Sequence, residues 1–153
     1  RCRHNIAYWT GKPYLGLGRS AAGMFDIPAT SEMCNLGTYP FYTSGANLSS
    51  FPHEGRMRYR QLDDEGVQFD TERLTPREAM AEDLMLACRM TDGISLDLLT
   101  RATSCIPETD LRAACEGAIS SGLATWDEGA LRPTHLGWLD GNELFGLFWG
   151  LAE

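Results

Sequence analysis

Leu123-Ala124-Thr125-Trp126-Asp127-Glu128-Gly129-Ala130-Leu131-Arg132-Pro133-Thr134 is the stretch on which the fold turns. Two short runs rich in apolar and β-forming residues flank Asp127-Glu128-Gly129, which predicts a strand, a tight turn and a second strand. Downstream, Thr134 caps an apolar helix carrying Leu136, Leu139, Leu144, Leu147, Phe148 and Leu151, with His135 in its first turn. Upstream, three helices are expected. The third spans about 108–121, with Leu111, Cys115, Ala118 and Ile119 at helical spacing and Gly122 at its end. The second is capped by Ser95 and runs to about Ala102, with Leu98 and Leu99 inward. The first starts at Thr75-Pro76-Arg77-Glu78, a capping box with proline at the first helical position. It is expected to reach Met90, with Met80, Leu84, Ala87 and Cys88 on one face and Thr91-Asp92-Gly93 as its stop. Three helices, a β-hairpin and a helix are the order of a winged-helix domain over 75–153.

The first half is read differently. His4-Asn5-Ile6-Ala7-Tyr8-Trp9 is rich in aromatics and reads as a strand. Thr10-Gly11-Lys12-Pro13 reads as a turn, and Tyr14-Leu15-Gly16-Leu17-Gly18 as a partner strand, its glycines allowing a close backbone approach. Residues 19–55, rich in Gly, Ser, Pro and Asn and including His53, read as a long loop. Arg56-Met57-Arg58-Tyr59-Arg60 alternates like a short edge strand, Asp63-Asp64-Glu65-Gly66 follows as a turn, and 61–74 is read as a linker. The fold class is therefore α+β.

Charge narrows the functions. Residues 1–78 carry 9 basic and 9 acidic side chains, whereas 79–153 carry 4 basic and 12 acidic, so the whole net charge of −8 lies in the second half. The helix that would enter a DNA groove offers Glu108, Asp110 and Glu116 against Arg112, and the hairpin tip is Asp127-Glu128. Phosphate backbones need Lys and Arg, so no nucleic-acid partner is expected. The apolar run at 144–151 is too short for a membrane span. The five cysteines lie 32, 54, 17 and 10 residues apart, without a CxxC pair, and are expected as small apolar residues in a reducing cytoplasm, with no metal site in this chain. No third glycine follows Gly16-Leu17-Gly18, so no phosphate loop is expected. His4, beside flat aromatic surface and close-approach glycines, is the candidate ligand for iron in a planar macrocycle.

These residues resemble a known family. Cys2-Arg3-His4-Asn5-Ile6-Ala7-Tyr8-Trp9, followed by Tyr14-Leu15-Gly16-Leu17-Gly18, is similar to the CRHNxxYW…YLGxG segment of radical-SAM proteins of the oxygen-independent coproporphyrinogen III oxidase family, in particular its haem-chaperone branch. Glu82, Leu84, Met85, Leu86, Arg89 and Gly93, then Gly122-Leu123 and Arg132-x-Thr134-x-x-Gly137, resemble that family's C-terminal domain. The resemblance implies a longer parent, consistent with a chain that opens at Arg1 without an initiator Met. Its upstream part would be a partial (β/α) barrel holding a 4Fe–4S cluster and S-adenosylmethionine on a CxxxCxxC motif, and residues 1–60 here would be the end of that barrel. None of those cysteines is in this chain, so it is expected to be catalytically inactive alone and to hold no bound cofactor.

The implied function is oxidative decarboxylation of coproporphyrinogen III, or haem binding and delivery to an acceptor protein. His4, Asn5, Tyr8 and Trp9 take the haem-motif positions. On a strand, His4 and Tyr8 would share one face and Asn5 and Trp9 the other. The family's small-residue run of the form GAGAHS reads here Gly18-Arg19-Ser20-Ala21-Ala22-Gly23, with Ala22 in place of the histidine. The reading from a different class is a winged-helix protein-interaction module without a cofactor role.

Overall fold

The computed structural model describes residues 2–16, 18–28, 53–62 and 69–153. In chain order its elements are α1 (Arg3–Trp9), β1 (Ala22–Pro28), β2 (His53–Gln61), β3 (Phe69–Leu74), α2 (Pro76–Ala87), β4 (Ile94–Ser95), α3 (Leu96–Ala102), α4 (Glu108–Ser120), β5 (Ala124–Asp127), β6 (Ala130–Pro133), α5 (His135–Leu139) and α6 (Gly141–Trp149), ending in a 3-10 turn at Gly150–Ala152. Helices and antiparallel sheets together make the chain α+β. It divides into two compact units, one of residues 1–13 and 76–153, the other of residues 14–75.

In the first unit the predicted starts and turns are in place. Helix α2 begins at Pro76, directly after Thr75. The Ser95 hydroxyl accepts the Leu98 N–H and caps α3, and Thr134 accepts the Gly137 N–H and caps α5. Between β5 and β6, Glu128 (φ 47°) and Gly129 (φ 78°) both take positive φ, the geometry a two-residue turn needs to match the twist of its strands. The sheet gains a third strand that was not expected, in the order β4-β6-β5. Leu84, Ile94, Ile106, Leu131, Leu144 and Phe148 form the fully buried centre of one core, to which α2, α4, α6 and the hairpin all contribute. Arg77 locks the C-terminal turn onto it: its Nε donates to the Leu151 carbonyl at 2.7 Å and its guanidinium reaches Asp110 at 3.6 Å.

Two helices differ from expectation. Helix α2 ends at Ala87, and Cys88, Arg89 and Met90 form a turn. The last helix divides at Asp140 (φ −101°, ψ 42°), whose N–H closes on the Leu136 carbonyl. The division turns Leu136 and Leu139 to solvent, and Ile119 is exposed as well.

The first-half strand reading is corrected at its start. Residues 3–9, expected as a strand, are helix α1, and the expected hairpin over 2–18 does not form. Of its second arm, Tyr14 makes an isolated bridge to Met24 instead. The helix ends in a Schellman closure: the Gly11 N–H reaches the Tyr8 carbonyl and the Lys12 N–H the Ala7 carbonyl, each at 3.1 Å, with Gly11 at φ 64°.

In the second unit, β1 lies inside the expected loop 19–55 and β3 inside the expected linker 61–74. Strand β2, expected at an edge, is the central strand of β1-β2-β3, and His53 opens it rather than sitting in a loop. The turn expected at Asp63-Asp64-Glu65-Gly66 lies outside the described residues. The alternation of β2 explains its place. Arg56, Arg58 and Arg60 share one face, each directly opposite a carboxylate: Asp26 on β1, and Glu72 and Asp70 on β3, all at 3.2 Å. The Arg56–Asp26 pair is buried. On the other face Tyr59 lies over Gly23 and stacks on Phe25, ring centroids 5.4 Å apart.

Candidate functional site

The four motif residues sit on α1, a helix with no buried residue. An α-helix advances about 100° per residue, so His4, Tyr8, Asn5 and Trp9 fan across an arc of about 140°. One helical face thus presents all four, where a strand would have split them. His4 and Tyr8 still pair, as expected, but as i and i+4 neighbours: their rings meet edge to face, centroids 4.8 Å apart. Both are exposed, as is Asn5, and Trp9 is half-buried. The sequence signal overlooked in the strand reading was the stop: Thr10-Gly11 followed by Pro13 is helix-ending chemistry.

The glycines act through backbone approach, as expected, though not toward a partner strand of residues 4–9. The Tyr59 hydroxyl accepts the Gly16 N–H at 2.9 Å and donates to the Gly16 carbonyl at 3.1 Å. A Cβ on Gly16 would lie 2.2 Å from the Ala22 carbonyl oxygen, and one on Gly23 would fall 2.1 Å from the Tyr59 ring. Ala22 stands opposite Arg60, at the start of β1.

The second group of motif residues forms a junction between α4 and α5. Helix α4 closes on Gly122 (φ 70°), with the Leu123 N–H bonded to the Ala118 carbonyl at 2.9 Å. The Thr134 hydroxyl donates to the Gly122 carbonyl at 2.6 Å while accepting from Gly137 at 3.1 Å. Gly137 then lies on the Leu123 carbonyl, where a Cβ would be 2.0 Å from the oxygen. Gly93 (φ 67°) is placed the same way against β6, 2.3 Å from the Leu131 carbonyl oxygen to its missing Cβ. Arg132 spans the hairpin, bound to Asp127 at 2.6 Å and Glu128 at 2.9 Å. Arg89 lies over the Phe145 ring at 4.4 Å.

Among the described residues the thiols of Cys2, Cys88, Cys105 and Cys115 do not group as an iron–sulfur cluster requires. Such clusters are held by several converging thiolates. Cys88 and Cys115 are sealed in the core, and burial, then the neighbouring Cys115, pushes the Cys88 thiol up to about 12. Burial also raises Cys105 and Cys115. Among the described residues no three His, Cys, Asp or Glu side chains group as metal ligands.

A family model described as the HemN C-terminal domain matches residues 74–139, the span that holds this junction. Residues 74–139 are thus similar to the HemN C-terminal domain. The chain as a whole is 27% identical over 148 residues to a heme chaperone HemW of Bacillus subtilis (strain 168), covering 97% of this chain and 34% of that protein. It is 31% identical over 100 residues to a heme chaperone HemW of Synechocystis, covering 62% of this chain and 19% of that protein. The chain thus spans about a third, or less, of the length of these relatives. No solved structure matches it. The family resemblance carried by residues 2–18 and 82–137 is borne out, and Gly93, Gly122, Thr134 and Gly137, among the residues that carry it, seat α5 and β6 on the core.

Proposed function

We propose that this chain is the haem-handling end of a radical-SAM protein, and that it binds haem and passes it to an acceptor protein in the cytoplasm. The carrying observation is α1: a helix without a buried residue on which exposed His4 and Tyr8 and half-buried Trp9 share one arc. In this reading the His4 imidazole ligates haem iron, and Tyr8 and Trp9 lie against the flat macrocycle. Asn5 lies between Tyr8 and Trp9 on that arc and supports them. Two relatives named heme chaperones favour delivery over decarboxylation of coproporphyrinogen III. The rest of the parent protein would hold the 4Fe–4S cluster and S-adenosylmethionine in a partial (β/α) barrel, and no group of this chain takes a catalytic part. Residues 75–153 would be one winged-helix-like domain built of α2, α3, α4 and the β5–β6 hairpin with β4.

The test is titration of haem into the chain and its His4→Ala and Trp9→Ala variants, read by the Soret band. Because His4 is exposed, His4→Ala should not alter the thermal melt. His4→Ala is expected to lose the ligation shift and weaken binding about tenfold or more. An unchanged Soret band and affinity in His4→Ala would remove α1 from the haem site.

A further inference from the structure

Helix α5 is built inside out. Its buried residue is Gly137, pressed onto the Leu123 carbonyl, while its bulky apolar side chains face water: Leu136 and Trp138 are each 44% exposed and Leu139 is 71% exposed. A surface helix ordinarily buries such a stripe. Here the backbone contact at Gly137 fixes the opposite orientation, since any side chain at that position would collide with the carbonyl. The apolar surface extends sideways, because Leu136 lies against Gly122 at the end of α4, one turn beyond exposed Ile119. Large apolar side chains exposed together on one short helix mark a binding face.

Charge selects the occupant. Residues 133–153 contain no Lys or Arg, and Asp140, Glu143 and Glu153 are their charged side chains. The four arginines of residues 79–153 are already engaged: Arg89 over Phe145, Arg101 with Asp97, Arg112 with Glu108, and Arg132 with Asp127 and Glu128. The face therefore repels a second copy of itself, an anionic lipid surface and a nucleic acid alike. We propose that the outer face of α5, with Asp140 and Glu143 beside it, docks a cationic amphipathic segment of a partner protein, one that sets leucine-type side chains against Leu136, Trp138 and Leu139 and Lys or Arg against the acids. This does not depend on α1 meeting haem.

The probe is a synthetic amphipathic helix of Leu and Lys, fluorescently labelled, titrated against the full chain by anisotropy. A peptide of the same pattern with Glu in place of Lys, vesicles rich in phosphatidylglycerol, and sedimentation of the chain alone are run in parallel. The Leu/Lys peptide is expected to bind, to move the backbone amide resonances of residues 135–140, and to lose affinity about tenfold in Leu136→Ser/Leu139→Ser. That variant should keep the native melt, because both side chains are outside the core. Equal affinity in the variant, or resonance shifts confined elsewhere, would show bare charge attraction and overturn the proposal. So would equal binding of the Glu peptide, binding to the vesicles, or a dimer that the double variant abolishes.

Discussion

Cys88 shows how a single side chain ties this fold to pH. Burial, and then Cys115, lifts its thiol from the ordinary 9.0 to about 12, so the native state holds a proton that the unfolded chain releases above about 9. The stability this contributes is complete below that pH and is lost as pH rises through about 12. Urea denaturation at about pH 8 and about pH 11, for the wild type and Cys88→Ala, isolates the effect. The wild type should lose stability relative to the variant at the higher pH. A gap that stays constant would mean the thiol is not held protonated by the core. The same residue was legible as a core position from its helical spacing with Leu84, but its link to Cys115, some 27 positions along, is made only by packing.

At the scale of elements, the two halves of the terminal helix make opposite demands on glycine. Gly137 in α5 has no room for a methyl group, with a Cβ 2.0 Å from the Leu123 oxygen. Gly146 in α6 has nothing within 4 Å of the same position. Gly137→Ala should therefore destabilise by about 1–3 kcal/mol through overpacking. Gly146→Ala should be neutral or stabilising by up to about 1 kcal/mol, the helix-propensity gain. Thermal melts of the two variants check this, and equal shifts of the same sign would contradict the α5 junction. From sequence, 134–151 reads as one apolar helix because periodicity does not report a backbone contact. The break at Asp140 and the outward turn of Leu136 and Leu139 follow from seating Gly137 on the α4 end.

At the scale of the whole molecule, the charge distribution predicts weak binding of nucleic acid. The second half carries the full net charge of −8. In the sheet of residues 14–75, Arg56, Arg58 and Arg60 each face a carboxylate across the strands. Among the described residues, the arginines that share a face are paired with carboxylates rather than left for phosphates. A gel-shift titration at low salt should show no retarded duplex at roughly 10 μM chain, within the usual range of non-specific binding. Tight, salt-sensitive retardation would reverse this and revive a DNA-reading role for α4.

What the sequence determined by itself is local. The starts of α2, α3 and α5, the end of α4 and the positive-φ turn at Glu128-Gly129 follow from caps and turn residues acting within a few positions. The family signature of the second half was legible for the same reason, since Gly93, Gly122, Thr134 and Gly137 are residues that backbone geometry demands. Tertiary structure decided the rest. Strand β1 pairs with β2 across the 24 residues between Pro28 and His53, so no local pattern announces it, and β2 is central rather than an edge for that reason. The candidate haem residues could be named from the chain, but not their arrangement. An aromatic-rich run of seven residues suits strand or helix, and the Schellman closure at Gly11 ends the helix that brings His4, Asn5, Tyr8 and Trp9 to one face.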